Sequence, residues 1–233
     1  MAHTPLVTAH TGCEDTRENS LESMLAGIAA GADTVEVDVR ATRDGTPILM
    51  HDPTVLQEGK PVPVETLDAR EINAAIAGCT QGGAAPPLVT TLDEALELVA
   101  SHTVLVNLDV KDDHCIQGVV NAVRRHDLAS MIVITGCTPE RASLLRGMAP
   151  ELPVLLNVEI SPDPPDADAY MHAVRFICRT ATEHGCCGIN VPFGQCRSEL
   201  VEHARRRYLP VSVWTVNSTR DMKRVIEIGV HSV

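Results

Sequence analysis

The chain has 233 residues, enough for one (β/α)8 barrel, which takes roughly 200–250 residues, or for two small domains. Nineteen Lys and Arg against 31 Asp and Glu give a formal charge of −12, which argues against nucleic acid or an anionic membrane as the main partner. With 44% hydrophobic and 21% charged residues the chain is not disordered, and 2% aromatics require an aliphatic core.

Short apolar strands alternate with amphipathic helical stretches. Residues 6–10 read as a first strand. Leu21, Met24, Leu25 and Ile28 then recur at helical spacing. Strands follow at 34–39 and 47–51. Residues 52–90 are rich in Pro and Gly and read as irregular. Thr91 and Glu94 form a capping box, opening a helix with Leu92, Ala95, Leu96 and Val99 inward. From there the spacing predicts strands over 103–110, 130–136, 153–158, 188–192 and 210–216. The helices between and after them fall at about 113–126, 138–149, 166–183, 197–207 and 219–228. Repeated βα units with nearly continuous apolar strands argue for a parallel sheet covered by helices. If the strand at 47–51 belongs to an insertion, seven barrel strands remain. An eighth begins at His231-Ser232-Val233 and is short or incomplete. An open doubly wound sheet competes with the barrel, but no GxGxxG turn supports it.

The eight cysteines show neither zinc-site spacing nor a disulfide framework and read as free thiols in a reducing compartment. No apolar run reaches 18 residues and the first twenty hold no signal-peptide core. The expectation is therefore a cytoplasmic chain with no stable membrane insertion. Oligomeric state is left open.

Two strands break the apolar rule. Glu36 and Asp38 share one face of the 34–39 strand, opposite Val35, Val37 and Val39. Asn107, Asp109 and Lys111 share one face near the end of the 103–110 strand. Three carboxylates aimed into a barrel repel one another and desolvate badly unless a cation joins them. Hard oxygen donors suit Mg²⁺ or Ca²⁺ better than zinc. The competing reading is a buried Asp–Lys pair beside a solvated carboxylate pair. His10 and His51 also close strands, and imidazoles suit general acid and base roles. Asp52 is placed either to orient His51 or to cap the next turn. His3, His102, His114, His126, His172, His184, His203 and His231 lack such surroundings and read as surface.

Taken in order, seven segments resemble the glycerophosphodiester phosphodiesterase family. They are His10-Thr11-Gly12, Glu18-Asn19-Ser20, residues 31–39, Asp44-Gly45, His51-Asp52, residues 107–111 and residues 214–217, the last beginning with Trp214. The resemblance implies a single TIM-barrel domain over 1–233, with a small insertion after the second strand at about 44–90. It implies hydrolysis of glycerophosphodiesters to glycerol 3-phosphate and an alcohol, the glycerol hydroxyl attacking before water. Glu36, Asp38 and Asp109 would hold one divalent cation, Mg²⁺ or Ca²⁺. His10 and His51 would exchange protons with the attacking and leaving oxygens. Lys111 would contact the phosphate, Trp214 would line the pocket, and Asn19, Thr11 and Arg17 complete the expected substrate contacts.

Three positions depart from the family pattern. Thr11 stands where the family has Arg, which removes a guanidinium suited to phosphate. Asp109 stands where Glu is usual, and Arg17 replaces a Pro. Arg17 lies on the same loop as Thr11 and is read first as a solvated loop residue, with delivery of the missing positive charge into the site as the alternative. Two alternatives stay open. One is a phosphodiester lyase on the same barrel, leaving a cyclic phosphate; the other is a catalytically weakened member acting as a binding protein.

Overall fold

The computed structural model describes residues 4–79, 88–161 and 163–233. His3 and the 80–87 part of the irregular stretch lie outside the described residues. The elements in chain order are β1 (Thr8–Ala9), α1 (Leu21–Ala29), β2 (Thr34–Ala41), β3 (Pro47–Leu49), β4 (Thr54–Gln57), β5 (Lys60–Pro63), α2 (Ala69–Cys79), α3 (Leu92–His102), β6 (Leu105–Val110) and α4 (Ile116–Arg125). They continue with β7 (Ile132–Cys137), α5 (Pro139–Met148), β8 (Val154–Asn157), α6 (Ala167–Glu183), β9 (Gly188–Pro192), α7 (Ser198–Arg205), β10 (Val211–Trp214) and α8 (Thr219–Glu227). Among the described residues the main sheet follows chain order, β1-β2-β6-β7-β8-β9-β10, with β3 antiparallel on β2. This βα alternation is the TIM-barrel class that the sequence predicts. Packing divides the chain into two compact units.

The first unit comprises Ala9–Gly31 and Val35–Ile132. In β2 the β-branched Val35, Val37 and Val39 stack on one face and are fully buried. The opposite face carries Glu36, Asp38 and Arg40. Helix α1 starts where the Ser20 side chain accepts from Ser23 N–H. It presses against the chain just before His10 through Gly27, where an added Cβ would lie 2.6 Å from that of Ala9. Helix α3 opens with the expected Thr91–Glu94 capping box and buries the four predicted residues.

The 52–90 stretch is more regular than its Pro and Gly content suggests. Strands β4 and β5 pair as an antiparallel hairpin, and α2 follows. A second capping box starts α2: Asp68 Oδ1 accepts from Glu71 N at 2.8 Å, and Glu71 Oε2 accepts from Asp68 N at 2.9 Å. Val55, Val64, Leu67, Ile72 and Ala75 join Ile48 of β3 in a small core of their own, with Met50 and Val62 packed against it. This core anchors the strand that leads to His51.

The second unit comprises Met1–Thr8, Ala32–Thr34 and Val133–Val233. Strands β7 to β10 run parallel in chain order, with Leu156 opposite Ile189 and Val191 opposite Val213. The predicted eighth strand is present and very short. Ser232 bridges Leu6 on one side and Ser212 on the other, both in parallel. His231 N donates to Val211 O at 2.7 Å and Val213 N to Ser232 O at 3.1 Å. On the other flank Leu6 N donates to His231 O at 2.9 Å, Val233 N to Leu6 O at 3.0 Å and Thr8 N to Val233 O at 2.7 Å. Three residues therefore satisfy the edges of β10 and of the first strand. Each such bond contributes about 1 kcal/mol net, and about 1 kcal/mol shifts Tm by roughly 2–4 °C at this chain length. Deleting His231–Val233 is expected to lower Tm by about 10 °C in calorimetry. A change below about 2 °C would show that the segment does not secure the sheet.

Candidate active site

The site is built from the middle of β2, the end of β6 and the turns beside them, all in the first unit. Glu36 and Asp38 are buried, with Asp38 only 2% exposed. Asp109 comes from the penultimate position of β6, and Lys111 follows the strand, its N–H donating to Val39 O at 3.0 Å. That backbone bond ties the end of β6 to β2 and brings the three carboxylates together. One oxygen from each of Glu36, Asp38 and Asp109 lies within 4.8 Å of the others. Lys111 Nζ sits 2.7 Å from Asp38 Oδ1 and 2.6 Å from Asp109 Oδ2.

One ammonium cannot neutralise three carboxylates. Burial above all, and then the neighbouring Asp38, pushes the Glu36 carboxyl up to about 8; the Thr11 N–H opposes this, Asp109 adds to it and Lys111 opposes it. Burial disfavours the Lys111 ammonium, but Asp109 and Asp38 outweigh it and hold its pKa above the ordinary lysine value. Asp109 Oδ1 is buried and has no hydrogen-bond partner among the described residues. An orphaned carboxylate oxygen beside two more carboxylates is a hard donor set that fits a divalent cation.

His10 lies beside this cluster, and His51 follows Met50, whose N–H donates to Asp38 O at 3.0 Å. His10 Nε2 is 3.9 Å from Glu36 Oε2, and its Nδ1 lies 2.9 Å from Thr11 O. A carbonyl only accepts, so Nδ1 is the donor in this contact, and in the neutral ring the lone pair is on Nε2. His51 follows the same logic: Nδ1 lies 2.9 Å from Asp52 Oδ1, so Asp52 orients the ring. Both rings are largely exposed, His51 at 62%.

Asn19 joins the cluster through Asp38. Its Nδ2 donates to Asp38 Oδ2 at 2.8 Å, and its Oδ1 accepts from Asp38 N at 2.9 Å. Thr11 is buried, and its N–H donates to Glu36 Oε2 at 3.1 Å. Arg17 is not brought to the carboxylates: Nη1 donates to Leu88 O at 3.2 Å on the exposed surface. Trp214 ends β10 in the second unit, with 40% of its surface exposed.

Arg40 is the residue whose part the sequence does not make plain. Its Nε donates to His51 O at 2.9 Å and its Nη1 to Asp112 Oδ2 at 3.0 Å. Asp112 Oδ1 in turn accepts from Cys115 N before α4. One guanidinium thus ties the His51 backbone to the segment after Lys111. The signal was the two-residue period, which puts Arg40 on the face of Glu36 and Asp38. Of the histidines expected at the surface, His126 is half-buried and 2.8 Å from Asp93 Oδ1.

The model of the Glycerophosphoryl diester phosphodiesterase family matches residues 8–233. The chain belongs to this family. A glycerophosphodiester phosphodiesterase from Caldanaerobacter subterraneus subsp. tengcongensis is 25% identical, over 98% of this chain and 92% of its own length. A crystal structure from Silicibacter pomeroyi DSS-3 shares the fold with a TM-score of 0.82 and 23% identity, covering 98% of this chain and 88% of its own. An Oleispira antarctica phosphodiesterase, in complex with the product sn-glycerol-3-phosphate, matches with a TM-score of 0.77 and 18% identity over 98% of this chain and 92% of its own. Glycerophosphoryl diester phosphodiesterases are divalent-metal dependent, and here the acidic cluster of Glu36, Asp38 and Asp109 is a site that can bind such a metal.

The raised Glu36 pKa has a sign that can be checked. The folded, metal-free protein keeps a proton that the unfolded chain releases above the ordinary value of 4.5. Stability should therefore fall as pH rises from about 4.5 to about 8. Glu36→Gln should flatten that decline and give the higher Tm at pH 8 in EDTA. Parallel Tm–pH curves for the two proteins would rule this out.

Proposed function

We propose that this phosphodiesterase-family enzyme cleaves glycerophosphodiesters to glycerol 3-phosphate and an alcohol, using His10 and His51 as proton carriers beside one divalent cation. The observation that supports this most is the convergence of Glu36, Asp38, Asp109 and Lys111 beside the His10 turn. Glu36, Asp38 and Asp109 would hold the cation, Mg²⁺ or Ca²⁺. When bound, it supplies Lewis-acid polarisation of the phosphoryl oxygens and a fixed template for the substrate.

With the cation the three carboxylates and Lys111 balance to zero, so an incoming phosphodiester meets positive groups without a net anionic barrier. Lys111 offers its ammonium to a phosphate oxygen. His10, with its Nε2 lone pair free, takes the proton from the glycerol hydroxyl as that oxygen bonds to phosphorus. His51, once protonated at Nε2, returns a proton to the departing alcohol oxygen as its bond to phosphorus breaks, and Asp52 steadies the imidazolium. Water then opens the cyclic phosphate with the two histidines in reversed roles. Trp214 is assigned to the pocket wall, and Asn19 and Thr11 to the support of Asp38 and Glu36. Arg17, engaged with Leu88 O, stands outside this reading.

The substrate is a small-molecule phosphodiester, in keeping with the net charge of −12. No helix among the described residues is long and apolar enough to cross a membrane. The seven described cysteines are free thiols, which fits a reducing, cytoplasmic setting.

Purified protein should release glycerol 3-phosphate from glycerophosphocholine, glycerophosphoethanolamine or glycerophosphoglycerol with Mg²⁺ or Ca²⁺ and lose this activity in EDTA. His10→Ala and His51→Ala should each lower kcat by about 10²–10⁴-fold. Lys111→Ala should lower kcat/KM by about 10²–10³-fold, by analogy with loss of an oxyanion donor, and Arg17→Ala should leave it within about threefold. A cyclic phosphate as the final product would replace hydrolase with lyase. Metal binding without turnover on any of the three substrates would point to a binding protein.

A further inference from the structure

The resemblance reserves position 11 for a phosphate-binding guanidinium, and this chain places a threonine there. Its backbone N–H meets a carboxylate, and its hydroxyl meets the Asn19 backbone instead of a phosphate. The Thr11 N–H donates to Glu36 Oε2 at 3.1 Å, and its Oγ1 accepts from the backbone N–H of Asn19. Asn19 has φ +54°, the left-handed region that non-glycine residues rarely adopt and that Asn tolerates better than most. From that conformation the Asn19 amide grips Asp38 twice, donating to Oδ2 and accepting from the Asp38 N–H. The other Asp38 oxygen faces Lys111 at 2.7 Å. A carboxylate turns about a broad, two-fold torsion. The Asn19 amide is the neutral contact that fixes the Asp38 plane, and it depends on the turn that Thr11 holds.

We propose that Thr11 is a positioning residue for the cation site: its hydroxyl holds the left-handed turn at Asn19, through which the Asp38 carboxylate is set for its metal. This rests on the reading of Glu36, Asp38 and Asp109 as cation ligands. The substitution that removed a guanidinium from the phosphate has thereby given the acidic cluster a buried brace. Phosphate binding is left to Lys111 and the cation.

The test is titration of the full chain with Mg²⁺ and with Ca²⁺ by isothermal calorimetry, beside steady-state kinetics on glycerophosphocholine. Thr11→Val keeps the shape and loses the hydroxyl. It should weaken metal binding by about 10–100-fold, the usual cost of losing a partner of a metal ligand. At saturating metal its KM should match the unmodified enzyme. Thr11→Ser should restore metal affinity to within about threefold. Asn19→Gly accepts the positive φ and loses the amide, so it should weaken binding as Thr11→Val does. The double variant should be no weaker than Asn19→Gly, because Thr11 acts through Asn19. Thr11→Arg, which restores the family's guanidinium, should lower metal affinity.

Unchanged metal affinity with a raised KM in Thr11→Val would make Thr11 a substrate contact and overturn the proposal. Additive losses in the double variant would overturn it too. If Thr11→Val does not fold, the same decision falls to Thr11→Ser and Asn19→Gly: unaltered metal binding in Asn19→Gly refutes the brace. Asp38→Asn separates the levels. If it binds both metals as the unmodified chain does, the cation-site reading has failed, whatever the Thr11 variants show.

Discussion

Carboxylate repulsion inside an aliphatic sheet is the constraint to which the site answers. Glu36 and Asp38 come from one strand and Asp109 from another, and each carboxylate loses much of its water. Taking an ion from water into a protein interior costs several kcal/mol even after relaxation. One ammonium, shared between two of the three, offsets part of that cost. Protonation of Glu36 relieves another part, which is why its carboxyl sits so far above the ordinary range. The Asp109 oxygen without a partner is the remainder. A divalent cation addresses all three at once, so the fold holds charge in a pattern that such an ion can complete.

The neighbouring elements follow from keeping that cluster in place. Valines on the reverse face of β2 bury completely and fix the strand that carries two of the acids. Gly27 lets α1 approach closely enough for the His10 turn to meet Glu36. Arg40 anchors the second histidine through the backbone rather than through the ring. A largely exposed imidazole gains its position in this way without losing access to solvent and substrate. Rigid strands hold the charges, while the two histidines stand beyond them with their rings largely exposed.

The sequence made the acidic cluster legible because buried strands leave few places for charge. Two carboxylates at a spacing of two, opposite three valines, declare their common face whatever the fold around them. The βα rhythm was legible for the same reason, and most predicted elements stand within a few residues of the observed ones. Helix α2 escaped because the Pro and Gly around it mask the pattern, although Asp68 and Glu71 spell its start. The task of Arg40 escaped because a backbone acceptor such as His51 O leaves no trace in residue identity. Thr11 shows the same limit. Its identity marks a missing guanidinium, and only the geometry shows what its hydroxyl does instead.

The small core around β4, β5 and α2 is separate from the stacked valines of β2, and β3 carries its Ile48 into it. His51 therefore stands on a part of the chain with its own few buried side chains, while Glu36, Asp38 and Asp109 stand on the main sheet. Units with so few buried contacts open at lower free energy than the strands of a central sheet. Warming should therefore open the segment that carries His51 before the strands that carry Glu36, Asp38 and Asp109. The same separation leaves the hairpin and helix free to change shape around their own core while Glu36, Asp38 and Asp109 keep theirs.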